Sequence, residues 1–404
     1  MKMPIISIVM STYNGEPVLP DCLKSLAEQT ADKETYEVVM INNMSTDGSQ
    51  KIIDEYAKSQ PNFRAFVEPE VGLSAARNRG YKEARGEYVA YFDDDAKVEP
   101  EWVSKALAII GSKHPQVFGG PIVPFYQSQQ IPWVKDKYNS YSLYDGSRNL
   151  VNGEFLSGSN IFILKSLLEQ YGGFNTKLGM KGEATGYHEE TALQEQMRKD
   201  GVERYYDDNL VVQHLVPDVK QNILYYIYSQ YKSGKDGKYL WDASYSYAEL
   251  LKLFKEIDAF FMGIEQAMKS KDKAAYPYPE NYVVEQLVPN LFTIGSRLEY
   301  FSKHESIALK DYLEHFVKDR NLSLTEYLQI YASLNPEQFK VDNVLTAYVE
   351  VMHGKQDSIW QTLKVYLRSA KLGLGAALKL AVYAVCYSKP IYPVIRRIKS
   401  LLHK

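Results

Sequence analysis

A chain of 404 residues exceeds one ordinary hydrophobic core, so two or three compact units are expected. A hydrophobic share of 45%, a charged share of 24% and a net charge of -3 fit a globular protein and give no reason to expect nucleic acid as a partner. Two cysteines, Cys22 and Cys386, lie far apart in unlike contexts, which argues against a disulfide framework and for a reducing compartment.

The short apolar stretch after Lys2 contains Ser7 and runs straight into polar residues, so it reads as a buried strand and not as a signal peptide. A cytoplasmic chain is the expectation. That strand, Ile5 to Met10, ends in the loop Ser11-Thr12-Tyr13-Asn14-Gly15. Val18, Leu19, Cys22, Leu23 and Leu26 recur at helical spacing. Val38 to Ile41 is a second strand that stops at Asn42-Asn43, and a helix begins near Asp47, which has the spacing of a capping box with Gln50. Ser74 is placed to cap the next helix, and Gly86 to end it. Tyr88 to Phe92 is a third buried strand that runs directly into Asp93-Asp94-Asp95. Strands joined by helices predict an α/β fold: a mostly parallel, Rossmann-like sheet with helices on both faces. Ligands bind such sheets beyond the carboxyl ends of the strands, where the Thr12, Asn42 and Asp93 loops all fall.

Residues 121–155 lose this rhythm and carry Trp133, Tyr138, Tyr141 and Tyr144, which reads as an acceptor-side loop region. From about residue 220 the pattern turns to long helices without strands. The expected organisation is therefore a catalytic domain over 1–220, a helical domain over 221–350 and a basic amphipathic tail over 351–404. The tail has ten Lys or Arg against one acid, Asp357. Its Leu363, Leu367, Ala370, Leu374 and Leu378 recur at steps of three and four. Such a helix lies on an anionic membrane surface or packs on the protein; Lys379 interrupts it too early for a spanning helix. The 33 tyrosines against four tryptophans suit surfaces that contact sugars or membrane interfaces.

Three carboxylates at a strand terminus repel one another, and a divalent cation resolves the conflict. Oxygen ligands suit Mg2+ or Mn2+, which keep open positions for substrate phosphates. A solvated acidic turn is the plain alternative.

Six strings appear in an order that resembles family 2 glycosyltransferases: STYNGE (Ser11 to Glu16), STDGS (Ser45 to Ser49), GLSAARNRG (Gly72 to Gly80), GEYVAYFDDD (Gly86 to Asp95), FLSGSNIF (Phe155 to Phe162) and GGFN (Gly172 to Asn175). The resemblance covers roughly residues 4–217. It implies the GT-A fold, a nucleotide-sugar donor, a divalent metal and inversion at the anomeric centre. By position, Asp93 and Asp95 match the family's Asp-x-Asp pair: Asp95 holds the metal, and Asp93 contacts the ribose or assists the metal. Thr12, Tyr13 and Glu16 match the first nucleotide loop, and Arg77 either faces the diphosphate or is a surface arginine. In His188-Glu189-Glu190, Glu190 matches the base that takes the acceptor proton, with Glu189 as the fallback; acids in a first helical turn also simply complement the helix dipole. His214, after the strand-like Leu210 to Gln213, matches a metal-binding histidine, although such a residue is often structural.

The chain departs from the family at Asn42-Asn43, where an Asp usually contacts the donor base. An amide can pair with uracil but lacks the charge that strengthens a contact to guanine, which predicts a UDP- or dTDP-sugar. The implied partners are a nucleotide sugar, a glycan or lipid-linked glycan acceptor and an anionic membrane surface, on the inner face of the cell membrane if the tail binds there. A catalytically silent scaffold of a glycan assembly complex is the alternative. A nucleotidylyltransferase would need a Gly-rich basic loop after the first strand, which Ser11 to Gly15 is not.

Overall fold

A computed structural model of the protein describes residues 3–143, 145–182, 186–237 and 276–304, together with Glu256 and Ala259. The chain divides into two compact units, Met1–Asp218 and Val219–Lys404. The first unit opens with β1 (Ile6–Thr12), α1 (Leu19–Ala27), β2 (Tyr36–Asn42), α2 (Ser49–Ser59), β3 (Phe63–Val67), α3 (Leu73–Glu83) and β4 (Tyr88–Asp93). It continues through β5 (Ala96–Lys97), α4 (Trp102–Lys113), β6 (Val117–Gly119), β7 (Ile122–Tyr126), β8 (Arg148–Asn149), β9 (Ile161–Leu164) and α5 (Lys165–Tyr171). It closes with α6 (Glu189–Lys199), β10 (Arg204–Tyr206) and β11 (Val212–Val216).

Eight strands form one sheet in the order β3-β2-β1-β4-β9-β6-β10-β8, and β5-β11-β7 form a second. The pairs β2-β3, β1-β2 and β1-β4 are parallel, as is β6-β10, whereas β9 runs antiparallel to β4 and β6. Both faces of the large sheet are covered, which is why its central strands read as continuous apolar runs. Ile8, Met10, Val38 and Met40 face one core with Leu19, Leu23, Leu26 and Trp102 of α1 and α4. Val9, Val39 and Ile41 face the other with Ala76, Leu168, Leu193 and Met197 of α3, α5 and α6. After β3 the chain returns to the other side of β1, so the strand order reverses between β1 and β4. That reversal opens a crevice at the carboxyl ends of these two strands.

Several local expectations are corrected. β1 and β2 run on to Thr12 and Asn42, which are strand residues and not loop residues. The edge strand β3 was not expected at all. Asp47 does serve the start of α2, its Oδ1 accepting the Ser49 N–H at 3.0 Å, but Gln50 bonds Asn42 and Asp54 and closes no box. Ser74 lies inside α3 and donates to the Leu178 carbonyl at 2.9 Å; Gly72, at φ 151°, precedes the helix instead, and the helix ends at Glu83, before Gly86. His214 sits within β11, not beyond a strand. Trp133 is buried, so it offers no exposed platform, and Tyr144 lies outside the described residues.

In the second unit the structure describes α7 (Ile223–Asp236) and a helix Val288–His304, which pack against each other. The tail over 351–404 lies outside the described residues. Among the described residues no helix is long and apolar enough to cross a membrane.

Candidate active site

The strand register brings the site together. Thr12 pairs with Asn42, and Ser11 pairs with Asp93, so the three predicted loops share one sheet edge. Successive side chains beyond β4 then diverge. Asp94 turns to Thr12, whose Oγ donates to its Oδ2 at 2.5 Å, while Asp93 and Asp95 face the other way. The second sheet supplies the remaining group: His214 pairs with Ala96 across β5-β11, and the Leu215 N–H donates to the Asp95 carbonyl at 2.9 Å. His214 Nε2 thereby lies 3.4 Å from Asp93 Oδ2 and 3.2 Å from Asp95 Oδ1.

These three residues fit a divalent cation. One ligand atom from each lies within 4.8 Å of the others. Neighbouring ligands of an octahedral ion with bonds of ~2.1 Å stand about 3 Å apart, close to the spacings found. The Leu215 carbonyl, 3.2 Å from His214 Nδ1, can only accept, so Nδ1 carries hydrogen and Nε2 faces the carboxylates. Nε2 then stands between two anionic oxygens, where it donates a hydrogen bond to Asp93 and where a bound cation would take that proton's place. Two oxygens and an imidazole suit Mn2+ or Mg2+.

Electrostatics separates the three aspartates. Burial pushes the Asp93 carboxyl up, but the His214 hydrogen bond and the Arg77 charge hold it well below the usual carboxylate range. Among the described residues Asp94 makes no ion pair: burial, then the charge of Asp95, raise it to about 7 against the Thr12 hydrogen bond.

The side of the site toward α6 is held by α3. Gly80 faces β1, where a side chain would meet Val9 Cγ1 at 2.1 Å, so glycine lets the helix lie close on the sheet. Ser74, Arg77 and Asn78 on this helix all bond later parts of the chain. Asn78 exchanges two hydrogen bonds with the Phe174 backbone, both at 2.8 Å. Arg77, 4% exposed, donates from Nη1 to Glu189 Oε1 at 2.7 Å and from Nη2 to Asp93 Oδ1 at 3.1 Å. It is therefore no surface arginine, and both its Nη atoms bond protein acceptors where a diphosphate contact was expected. Buried Gln194 clamps α6 to the Phe155–Phe162 segment through the Leu156 N–H and carbonyl, both at 2.8 Å.

Glu189 and Glu190 form the first turn of α6, as expected, but differ sharply. Glu189 is buried against Arg77. Burial, then the charge of Glu190, push its carboxyl up against the pull of that arginine. Glu190 is half-buried, and among the described residues no cation lies within ion-pair distance of its carboxylate.

The nucleotide-loop residues lie at the same edge. Tyr13 is 36% exposed. Glu16 accepts the Gly48 N–H at 2.9 Å, tying the first loop to the start of α2. Asn42 is buried, with its oxygen on the Ser45 N–H at 2.9 Å and its nitrogen on Gln50 at 2.6 Å. The amide expected to meet a base is thus engaged within its own loop, leaving one N–H and one lone pair. Sequence reasoning missed Asn78, Gln194 and Gly158, whose partners are too remote in the chain to be seen from spacing.

Parts of the chain are similar to known proteins. The model of glycosyl transferase family 2 matches residues 7–172. The glycosyltransferase AglE of Haloferax volcanii is 24% identical over 177 residues, 44% of this chain and 58% of that protein. The poly(ribitol-phosphate) beta-glucosyltransferase of Bacillus spizizenii is 39% identical over 99 residues, 24% of this chain and 16% of that protein. The chain thus spans well under two thirds of either relative. Residues 1–349 of S. aureus TarS align with 17% identity over 84% of this chain and 85% of that one, at a TM-score of 0.46. The match to the model of glycosyl transferase family 2, over residues 7–172, lies within the first unit.

Proposed function

We propose that the chain is an inverting, metal-dependent glycosyltransferase that moves a sugar from a nucleoside diphosphate onto a hydroxyl of a growing surface glycan. The observation that carries this reading is the Asp93, Asp95 and His214 cluster at the strand-order reversal, one guanidinium away from the first turn of α6. A bound divalent cation would neutralise charge developing on the leaving diphosphate. Asp93, Asp95 and His214 would hold it. Glu190 accepts the proton of the acceptor hydroxyl as that oxygen bonds to the anomeric carbon and the bond to the diphosphate breaks on the opposite face. Glu190 is favoured over Glu189 because it is only half-buried and, among the described residues, makes no ion pair, whereas Glu189 is committed to Arg77.

The donor base is proposed to be uracil or thymine, because position 42 lacks the charge that would favour guanine. Tighter binding of GDP than UDP would refute this. The basic tail extends the proposal to a lipid-linked acceptor at an anionic surface; equal flotation of the full chain and a truncation at residue 350 with anionic liposomes would refute that part. Glu190→Gln should abolish transfer and spare donor binding. Near-normal turnover would refute the base assignment.

A further inference from the structure

The Arg77 side chain is met by four separate parts of the chain, and each contact restricts it differently. Its two terminal nitrogens serve different carboxylates: Nη1 is 2.7 Å from Glu189 Oε1, and Nη2 is 3.1 Å from Asp93 Oδ1. Nη2 also donates to the Gly158 carbonyl at 3.2 Å. The guanidinium carbon lies 5.5 Å from the Phe174 ring centre and 5.9 Å from that of Tyr91. A side chain at Gly158 would sit 2.9 Å from both nitrogens, so only glycine leaves the guanidinium in place.

This arrangement has a consequence for each carboxylate. Because Arg77 takes Asp93 Oδ1, the other oxygen, Oδ2, is the one left toward His214 Nε2 at 3.4 Å. Because Arg77 takes Glu189, the first turn of α6 is fixed relative to the end of β4, and Glu190 with it. We propose that Arg77 is a positioning residue that couples the two halves of the reaction: one rigid fork selects the Asp93 oxygen that faces the cation and sets the acceptor base opposite it. The proposal deepens the transferase reading and rests on it. Lysine cannot replace this function, since a single ammonium cannot serve two carboxylates in the geometry of a planar fork.

The test compares the full-length protein with Arg77→Lys, Glu189→Gln and Gly158→Ala. Mn2+ binding is measured by calorimetry without donor or acceptor, and kcat and KM for the donor are measured separately. Arg77→Lys should weaken Mn2+ binding about tenfold or more, the scale seen when a group orienting a metal ligand is lost. It should also lower kcat by a larger factor than it changes donor KM. Glu189→Gln should lower kcat with Mn2+ affinity kept, because the Asp93 contact survives. Should Arg77→Lys fail to fold, Gly158→Ala displaces the guanidinium without removing it, and should reproduce both losses in milder form. Wild-type Mn2+ affinity in Arg77→Lys or Gly158→Ala would overturn the proposal, as would the absence of Mn2+ binding by the wild type. Weakened Mn2+ binding in a chain that transfers no sugar would uphold the positioning of Asp93 and defeat the transferase reading instead.

Discussion

Replacing Asp94 by Asn should stabilise the metal-free first unit, and by more as the pH rises. The carboxyl is raised from an ordinary 3.8 to about 7, first by burial and then by Asp95. In full, that difference of roughly three pH units is worth about 4 kcal/mol at ~1.36 kcal/mol each. Asp94 is half-buried, so water screens part of the effect and about 2 kcal/mol should be expressed. The sign follows from linkage. Below the unfolded value of 3.8 both states are protonated and the aspartate costs nothing; the cost grows as the unfolded chain ionises first and is complete above about 7. Asparagine keeps an oxygen to accept the Thr12 hydroxyl, so the hydrogen bond is not lost with the charge. For a unit of this size ~2 kcal/mol corresponds to roughly 4–8 °C in Tm. Thermal unfolding in EDTA at acidic and alkaline pH measures it: Asn should melt with wild type near pH 4 and above it at pH 8. Added Mn2+ should narrow the alkaline gap by neutralising Asp93 and Asp95. A gap of the same size at both pH values would refute the electrostatic reasoning.

Three further outcomes are expected. His214→Ala should weaken Mn2+ binding by at least about tenfold while the unit stays folded, read by calorimetric titration. Gly80→Ala forces a Cβ to within 2.1 Å of Val9 Cγ1, so α3 must lift from β1. Denaturant unfolding should show a loss of about 1–3 kcal/mol, with transfer reduced because α3 carries Arg77. Gln194→Leu leaves the buried N–H and carbonyl of Leu156 without their side-chain partner. At ~1–3 kcal/mol for each unpaired group, the same assay should show a loss of about 2–6 kcal/mol.

What the sequence disclosed and what it concealed have physical causes. β1, β2 and β4 announced themselves because strands covered on both faces are apolar on both sides, with buried Ser7 and Glu37 as paired exceptions. β3 did not, since Phe-Arg-Ala-Phe-Val lies at a sheet edge and carries Arg64, whose guanidinium bonds Glu37 at 2.9 Å. The acidic triplet was legible because carboxylates rarely follow a buried strand without a purpose. Its division into two carboxylates beside His214 and one on Thr12 was not, because the alternation beyond a strand end depends on local turns. His214 was found through its resemblance to a family position, but its placement comes from a ladder with Ala96 that spacing does not reveal. Arg77 was the least legible residue: its partners are 16 and 112 residues away, and only the folded chain brings them to one guanidinium. Asn42 was read from its chemistry alone, and the fold engages that chemistry within its own loop.

The most direct test of the account is nucleotide release by the purified full-length chain from a panel of UDP-, dTDP- and GDP-sugars, with Mn2+ or Mg2+ and then with EDTA. The account predicts release from a uridine or thymidine donor that EDTA abolishes and Glu190→Gln removes. Release that survives EDTA would contradict the role given to Asp93, Asp95 and His214. Silence across the panel, with a glycan acceptor supplied and nucleotide bound, would contradict the transferase reading in favour of a scaffold.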